Sequence, residues 1–287
     1  MTSTLNKQSK PIGPGRGKWL GLAIIALVVG GLAIGLIYFF GGAEPAEVDL
    51  ASTVSAVNAA PETTAAVTTA AEGTATETTG PETTGPGTTG PETTGATGAN
   101  SNDVSGVWTV DTTVGTFNFE EATATFAGFR VEEELARVGR TTAVGRSPDV
   151  SGSVTINGTS ITDASIEVDL TAIVSDESRR EKAIREALNT AQNPASTFVL
   201  TEPIDFGEVP AEGITVAATA TGDLTINGVT RTVEIPLEAQ VSGEAILIVG
   251  SANVVFADYD IRTPSAPIVL SVADEGTIEL QLWLVRA

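Results

Sequence analysis

The sequence predicts an all-β protein: an antiparallel β-barrel carrying one amphipathic helix, preceded by a transmembrane helix and a disordered linker. Three observations predict it. From about residue 104 apolar and polar side chains alternate with a period of two, the pattern of half-buried strands. Two Asn-Gly pairs interrupt that alternation where hairpin turns belong. Ahead of both, residues 19–40 form an uncharged apolar run, and residues 41–103 are built from Thr, Ala, Gly, Glu and Pro.

Charge divides the 287 residues in the same way. The chain has 36 acids, 15 bases and a net charge of −21. Lys7, Lys10, Arg16 and Lys18 are all the charges before residue 41, and residues 41–103 contain acids but no base. So acidic a chain is a poor match for nucleic acid, whose phosphates require clustered Lys and Arg. There is no cysteine and no histidine. Disulfides, zinc-thiolate sites, thiol nucleophiles, a lipidated cysteine and the usual general base are thereby excluded.

Taken in order, residues 1–18 read as a basic cytoplasmic tail. Residues 19–40, as a helix rising roughly 1.5 Å per residue, would span about 33 Å, enough to cross a hydrocarbon core of about 30 Å. Trp19 and Tyr38 stand near its ends, where aromatic side chains favour the interface. With all four bases before it and Glu44, Glu47 and Asp49 after it, the positive-inside rule places the rest of the chain outside the cell membrane. A cleaved signal peptide would have a shorter apolar region and a small-x-small cleavage site. Here the run is long and ends Phe39-Phe40-Gly41-Gly42-Ala43, so an uncleaved signal-anchor is the better reading. Gly31 and Gly35 have the spacing of a helix-packing face, which is common in apolar helices. Residues 41–103, with repeats such as Gly80-Pro-Glu-Thr-Thr84 and Gly90-Pro-Glu-Thr-Thr94, have little to bury and read as a disordered tether. Thr with Pro also suits O-glycosylation.

The domain proper is 104–287. In 214–226 one face carries Ile214, Val216, Ala218, Ala220, Gly222, Leu224 and Ile226, and the other is mostly Thr. Val233, Ile235, Leu237, Ala239 and Val241 alternate with polar residues; so do Ile166, Val168 and Leu170, and Ile278, Leu280, Leu282 and Leu284. Further strands are expected at 107–114, 115–120, 122–133, 150–156, 196–201, 245–257 and 268–272. Asn157-Gly158 and Asn227-Gly228 are expected to make type I′ turns, although Asn157-Gly-Thr159 also matches a glycosylation sequon. One helix is expected from a capping box, Ser178-x-x-Glu181, followed by the apolar stripe Ala183, Ile184, Ala187, Leu188 and Ala191. Glu181–Arg185 and Lys182–Glu186 are i,i+4 pairs on it, and Asn193-Pro194 ends it. Such a sheet, curled on itself with the helix over its open end, makes a barrel. Small inner residues at Ala218, Ala220 and Gly222 leave room for a cavity or fit the taper of a filled core.

Four segments of this domain have a distinctive wording: Gly222-Asp-Leu-Thr-Ile-Asn-Gly-Val-Thr-Arg-Thr-Val233 above all, with Trp108-Thr-Val-Asp111, Ala187-Leu-Asn-Thr-Ala-Gln-Asn-Pro194 and Asp258-Tyr-Asp-Ile261. Through them the domain resembles the YceI-like family of lipocalin-like barrels that bind polyisoprenoids. The chain departs from the family where His-Ser and Arg-Asp-x-His-Leu segments are frequent, reading Thr112-Thr-Val-Gly115 and Arg179-Arg-Glu-Lys-Ala-Ile184 instead. The resemblance implies an apolar lipid or isoprenoid ligand inside the barrel. The candidate cavity lining is then Phe126, Ile166, Val168, Leu170, Leu188, Ala218, Ala220, Val233, Ile235, Leu237, Phe256, Leu280 and Leu282.

Catalytic readings are weaker. Glu167/Asp169 and Asp258/Asp260 are i,i+2 carboxylate pairs, a spacing that any solvated strand face produces. Glu132-Glu-Glu134 reads as a solvated strand end, and no calcium loop or phosphate-binding glycine loop is present. The sequence thus predicts no enzyme, no metal and no cofactor. It predicts a membrane-anchored extracytoplasmic holder of a long apolar lipid, the alternative being a structural or adhesive β-module on a stalk.

Overall fold

The computed structural model describes residues 44–59, 103–264 and 267–287. The expected cytoplasmic tail, the apolar run 19–40 and most of the expected linker lie outside these residues. Among the described residues no helix is long and apolar enough to cross a membrane.

Twelve strands follow one another: β1 (Gly106–Asp111), β2 (Phe126–Leu135), β3 (Gly139–Ser147), β4 (Val150–Asn157), β5 (Ser160–Asp169), β6 (Ala195–Leu200), β7 (Ile204–Asp205), β8 (Thr215–Ile226), β9 (Val229–Ser242), β10 (Ala245–Val255), β11 (Val269–Val272) and β12 (Glu275–Arg286). Eight of them close an antiparallel barrel in the order β1, β4, β5, β6, β8, β9, β10, β12 and back to β1. β12 is shared along its length. Its last residues pair with β1, while 277–281 pair with β2, which continues into β3 and β11. This β2–β3–β11 flap extends one end of the wall beyond the start of β12.

Local chemistry explains where the elements stop. β1 ends at Asp111 because its carboxylate accepts from the N–H and hydroxyl of Thr113 and from the Val114 N–H. The strand expected at 115–120 is absent. Asn118 instead caps its own turn by accepting from the N–H groups of Glu120 and Glu121, and the Thr116 N–H is taken by the Thr123 hydroxyl. Conversely, β3 forms where no strand was expected, since its Gly and Arg residues blur the alternation. At Asn227-Gly228 both residues have positive φ, 51° and 76°, as a type I′ turn requires. At the other Asn-Gly pair the turn is shifted: Asn157 pairs with Ser160, so Gly158 (φ 60°) and Thr159 occupy the corner in a type II′ arrangement.

Two α-helices are present among the described residues, α1 (Leu50–Ala59) and α2 (Ser178–Ala187). α2 lies over the barrel end that holds Leu224, Ile226 and Val254, with Ile184 and Leu188 buried against them. Its two expected i,i+4 pairs are present, at 3.7 Å for Lys182–Glu186 and 3.8 Å for Arg185–Glu181. The expected capping box is not. Glu177 is the N-cap, and Glu181 reaches back to the N–H of Ser175.

α1 overturns part of the linker reading. Residues 44–59, which composition placed in a disordered tether, pack on the outside of the barrel. Asp49 caps α1 by accepting from the Ser52 N–H at 2.7 Å. Leu50 then buries against Leu247, Val249 and Trp283, with Val48, Val54 and Val57 beside it. The Thr53 hydroxyl bonds the Gln281 side chain at 2.8 Å.

Ahead of α1 the contact is ionic. Glu279, on the outer face of β12, is 3 % exposed. Its two oxygens accept from Arg130 Nε at 2.9 Å and Arg146 Nε at 2.8 Å. The remaining guanidinium donors go to the segment above. Arg130 bonds Glu44 and the carbonyls of Pro45 and Ala46, and Arg146 bonds the carbonyls of Ala46 and Phe119. Removing one partner of such a buried group strands the others, at a cost of about 3–5 kcal/mol. Glu279→Ala is therefore expected to lower stability by that amount in denaturant unfolding, and a protein starting at residue 104 to be less stable than one starting at residue 44. Equal midpoints for the two lengths would show that the docked segment contributes nothing.

Candidate functional site

The barrel interior is built by alternation. Side chains of one parity on β5, β6, β8, β9, β10 and β12 point inward, and α2 closes one end. Between them lies a cavity of ≈ 260 Å³. Ile166, Val168, Leu170, Leu188, Ala220, Ile235, Leu237, Phe256, Leu280 and Leu282, all expected from the sequence, line it.

Three expected lining residues do not. Phe126 is on the wrong face by one residue. Ala127, Phe129 and Val131 line the cavity, so Phe126 shares the outward parity of Arg130 and packs under the Arg146 guanidinium, 4.4 Å from its ring centroid. Ala218 belongs to a second, smaller cavity of ≈ 50 Å³ at the opposite end, lined also by Phe206, Pro210 and Val241. Val233 packs beside the α2 cluster without reaching the space. Sequence reasoning missed Phe129 and Phe198 as wall residues. The period-two signal for Phe129 was present but was assigned to the wrong parity.

Small inner residues serve packing as well as space. Gly222 leaves room for the Phe198 ring, which occupies the volume a Cβ at that position would need. Ala220 faces the open cavity. Both readings of the small residues are thus realised on one strand.

Charge touches the cavity at its α2 end, where Glu133 and Arg180 meet at 2.7 Å. Glu133 is the middle of the three acids read as a solvated strand end; it points inward and is buried, whereas Glu132 and Glu134 are exposed. Burial would lower the Arg180 pKa, but its bond to Asp176 and the charge of Glu133 outweigh that and hold it above the ordinary arginine value. The guanidinium is a satisfied, permanent cation.

Of the two carboxylate pairs, Asp169 is a turn cap. Hydrogen bonds from the Thr171 hydroxyl and N–H hold its pKa below the usual carboxylate range. Asp258 and Asp260 are not on a strand: β10 ends at Val255, and a 3₁₀ turn, Phe256–Tyr259, carries Asp258 and is closed by Asp260 at φ 53°. Neither pair faces a cleft. Tyr259 in that turn is buried against the α2 cluster, its hydroxyl has no hydrogen-bond partner among the described residues, and burial raises its pKa.

Two expectations follow. Ala220→Trp should direct its ring into the cavity, so its melting temperature should stay near that of the wild type. A filled core would instead be overpacked, at about 1–3 kcal/mol. Tyr259→Phe removes a buried hydroxyl that forms no bond, so thermal unfolding should show an unchanged or raised midpoint. A fall comparable to loss of a buried hydrogen bond would mean that the hydroxyl has a partner.

Comparison with known proteins bears on this barrel. A curated UPF0312 protein of Shewanella denitrificans is 26% identical over 159 residues, which is 52% of this chain and 80% of that protein. Among solved structures, the chain is similar to a polyisoprenoid binding domain from Saccharophagus degradans implicated in plant cell wall breakdown, with a TM-score of 0.49 and 15% identity, covering 63% of this chain and 98% of that one. It is also similar to Burkholderia cenocepacia BcnA, with a TM-score of 0.43 and 19% identity, covering 55% of this chain and 95% of that one. The YceI-like domain profile matches residues 108–284, more than half of the chain, and the protein belongs to that family.

Proposed function

We propose that the protein is a membrane-anchored, extracytoplasmic binding protein that holds a long apolar lipid of polyisoprenoid type inside its barrel, and that it does no catalysis. The observation that carries this reading is the cavity of ≈ 260 Å³, walled by aliphatic and aromatic side chains. Of the charged residues beside it, Glu133 and Arg180 satisfy each other, and Glu279 is held by Arg130 and Arg146. At about 24 cal/mol per Å³, leaving such a space empty costs on the order of 6 kcal/mol, a large share of the 5–15 kcal/mol that a domain typically has. An apolar ligand offsets that cost, and burial at about 25 cal/mol per Å² supplies affinity without a polar anchor. The resemblance of the domain to barrels that bind polyisoprenoids, carried by its family membership, supports the same class of ligand.

Anchoring rests on the apolar run 19–40, and outward orientation on the four bases before it. The test is to purify residues 44–287, which keep the docked segment, extract them with organic solvent and identify what is released. A long-chain apolar lipid in near-equimolar amount is expected, and reloading stripped protein with a polyprenol should raise its melting temperature. At a free concentration of 100 times Kd the gain is about 2.7 kcal/mol. A lipid-free protein whose melting temperature ignores added polyprenol would favour the stalked structural module.

A further inference from the structure

We infer that the α2 end of the barrel, where the large cavity lies, rests directly on the bilayer. The inference rests on the anchor reading above and deepens it, replacing a stalked carrier with one seated on the lipid it draws from.

The first observation is where the docked segment begins. Glu44 is bonded to Arg130, which sits opposite Thr277, near the start of β12. That is the cavity end: Val254, Phe256 and Ile278 lie there, and α2 packs on it. Phe40, the last residue of the apolar run, is four residues before Glu44, which limits the connection to roughly 14 Å even when fully extended. Residues 60–102 therefore do not set the distance to the membrane. They lie between Ala59 and Asp103 in the sequence, after the docked segment and not before it.

The second observation is the surface at that end. The β2–β3 hairpin and the start of β11 are joined by the Ala136 N–H donating to the Ile268 carbonyl. Together they expose Val138 (45 %), Ile268 (45 %) and Leu270 (63 %). Exposed bases surround this tip and the neighbouring helix: Arg137, Arg140, Arg179, Lys182 and Arg262. Exposed acids are more numerous there, among them Glu132, Glu134, Glu186, Asp260, Asp274 and Glu275, and Lys182 pairs with Glu186, but the domain's exposed bases gather at this end. The opposite end also exposes apolar side chains, Val209 and Ile214, yet there the neighbours are Glu202, Asp205, Glu208, Glu212 and Glu244. Its base, Arg286, is occupied by the carbonyls of Ser105 and Asp103. Apolar side chains with bases beside them suit a lipid interface better than the same side chains among acids alone.

The full chain contains no cysteine, so single probes can be placed cleanly. Ser271→Cys, beside the tip, and Glu244→Cys, at the far hairpin, would each carry an environment-sensitive fluorophore. β10 alone separates the two ends by about 36 Å. Each protein is reconstituted into phosphatidylcholine–phosphatidylglycerol vesicles containing brominated lipid, and vesicle attachment is checked by flotation. Loss of emission at position 271 and none at 244 is the expected result. Floating protein with no quenching at 271, or with equal quenching at both positions, overturns the inference and leaves the anchor intact. Protein that fails to float overturns the anchor reading itself.

Discussion

A carboxylate held between two guanidinium groups on the outside of a barrel has to be covered, and much of this fold follows from that. The inward parity of β12 is spent on Ile278, Leu280 and Leu282, so Glu279 and Gln281 must point outward. In an ordinary barrel that face meets water. Here Arg130, Arg146, Glu279 and Gln281 are all buried, because residues 44–59 and the 112–125 loop lie over them. A buried ion pair contributes little net stability when complete and costs several kcal/mol when broken. Its effect here is to fix what lies on top. The spare donors end on particular carbonyls of that cover and on the Glu44 carboxylate, so the segment cannot slide by a residue without stranding a charge. Among the described residues the cover consequently begins at Glu44, 62 residues before the first strand at Gly106.

The same constraint separates the two faces of the wall. Because the polar chemistry is outside, the interior is left to apolar side chains, and its shape is set by how rings and small residues are paired. Phe198 lies over Gly222, and a Cβ at Gly145 would collide with Phe129. These pairings fill part of the interior, and Ala220 faces what remains. The cavity is therefore a consequence of specific small-against-large matching rather than of a loosely filled core, which is how a domain keeps an apolar space while the rest of its wall is packed.

Much of this was legible in the sequence, and the failures have physical causes. Alternation over 214–241 gave the β8–β9 hairpin and its inner face because one side of a barrel wall is dry, and a slip of one residue would invert every side chain. That sensitivity is also what misplaced Phe126, whose aromatic bulk suits the covered outer face as well as the inner one. Burial on both faces removes the contrast that reveals parity. The docked segment was missed because its apolar residues are few and sit among Ala, Ser and Thr like those of the repeats after it. A signal was nevertheless present. Asp49 followed by Ser52 is a capping pair, and Leu50, Thr53, Val54 and Val57 are spaced as one helical face. What no local pattern could show is that two arginines and a glutamate more than a hundred residues apart would need a lid.

Chemistry at the cavity's charged end bears on what kind of selectivity such a barrel has. Arg180 is bound by Glu133 and Asp176 together, and both hold it as a cation already neutralised. A ligand with an anionic head group would have to displace one of those carboxylates, leaving a partly buried acid without its partner. A neutral chain pays no such penalty. The histidines frequent in related sequences are missing, so no titratable imidazole stands ready to recognise a head group either. Discrimination then falls to apolar volume, and an added or missing methylene in an apolar pocket is worth only about 1–3 kcal/mol. On the proposed reading, a barrel of this kind would sort lipids by length and bulk and exclude charge, and would rely on where it is placed for the identity of what it holds.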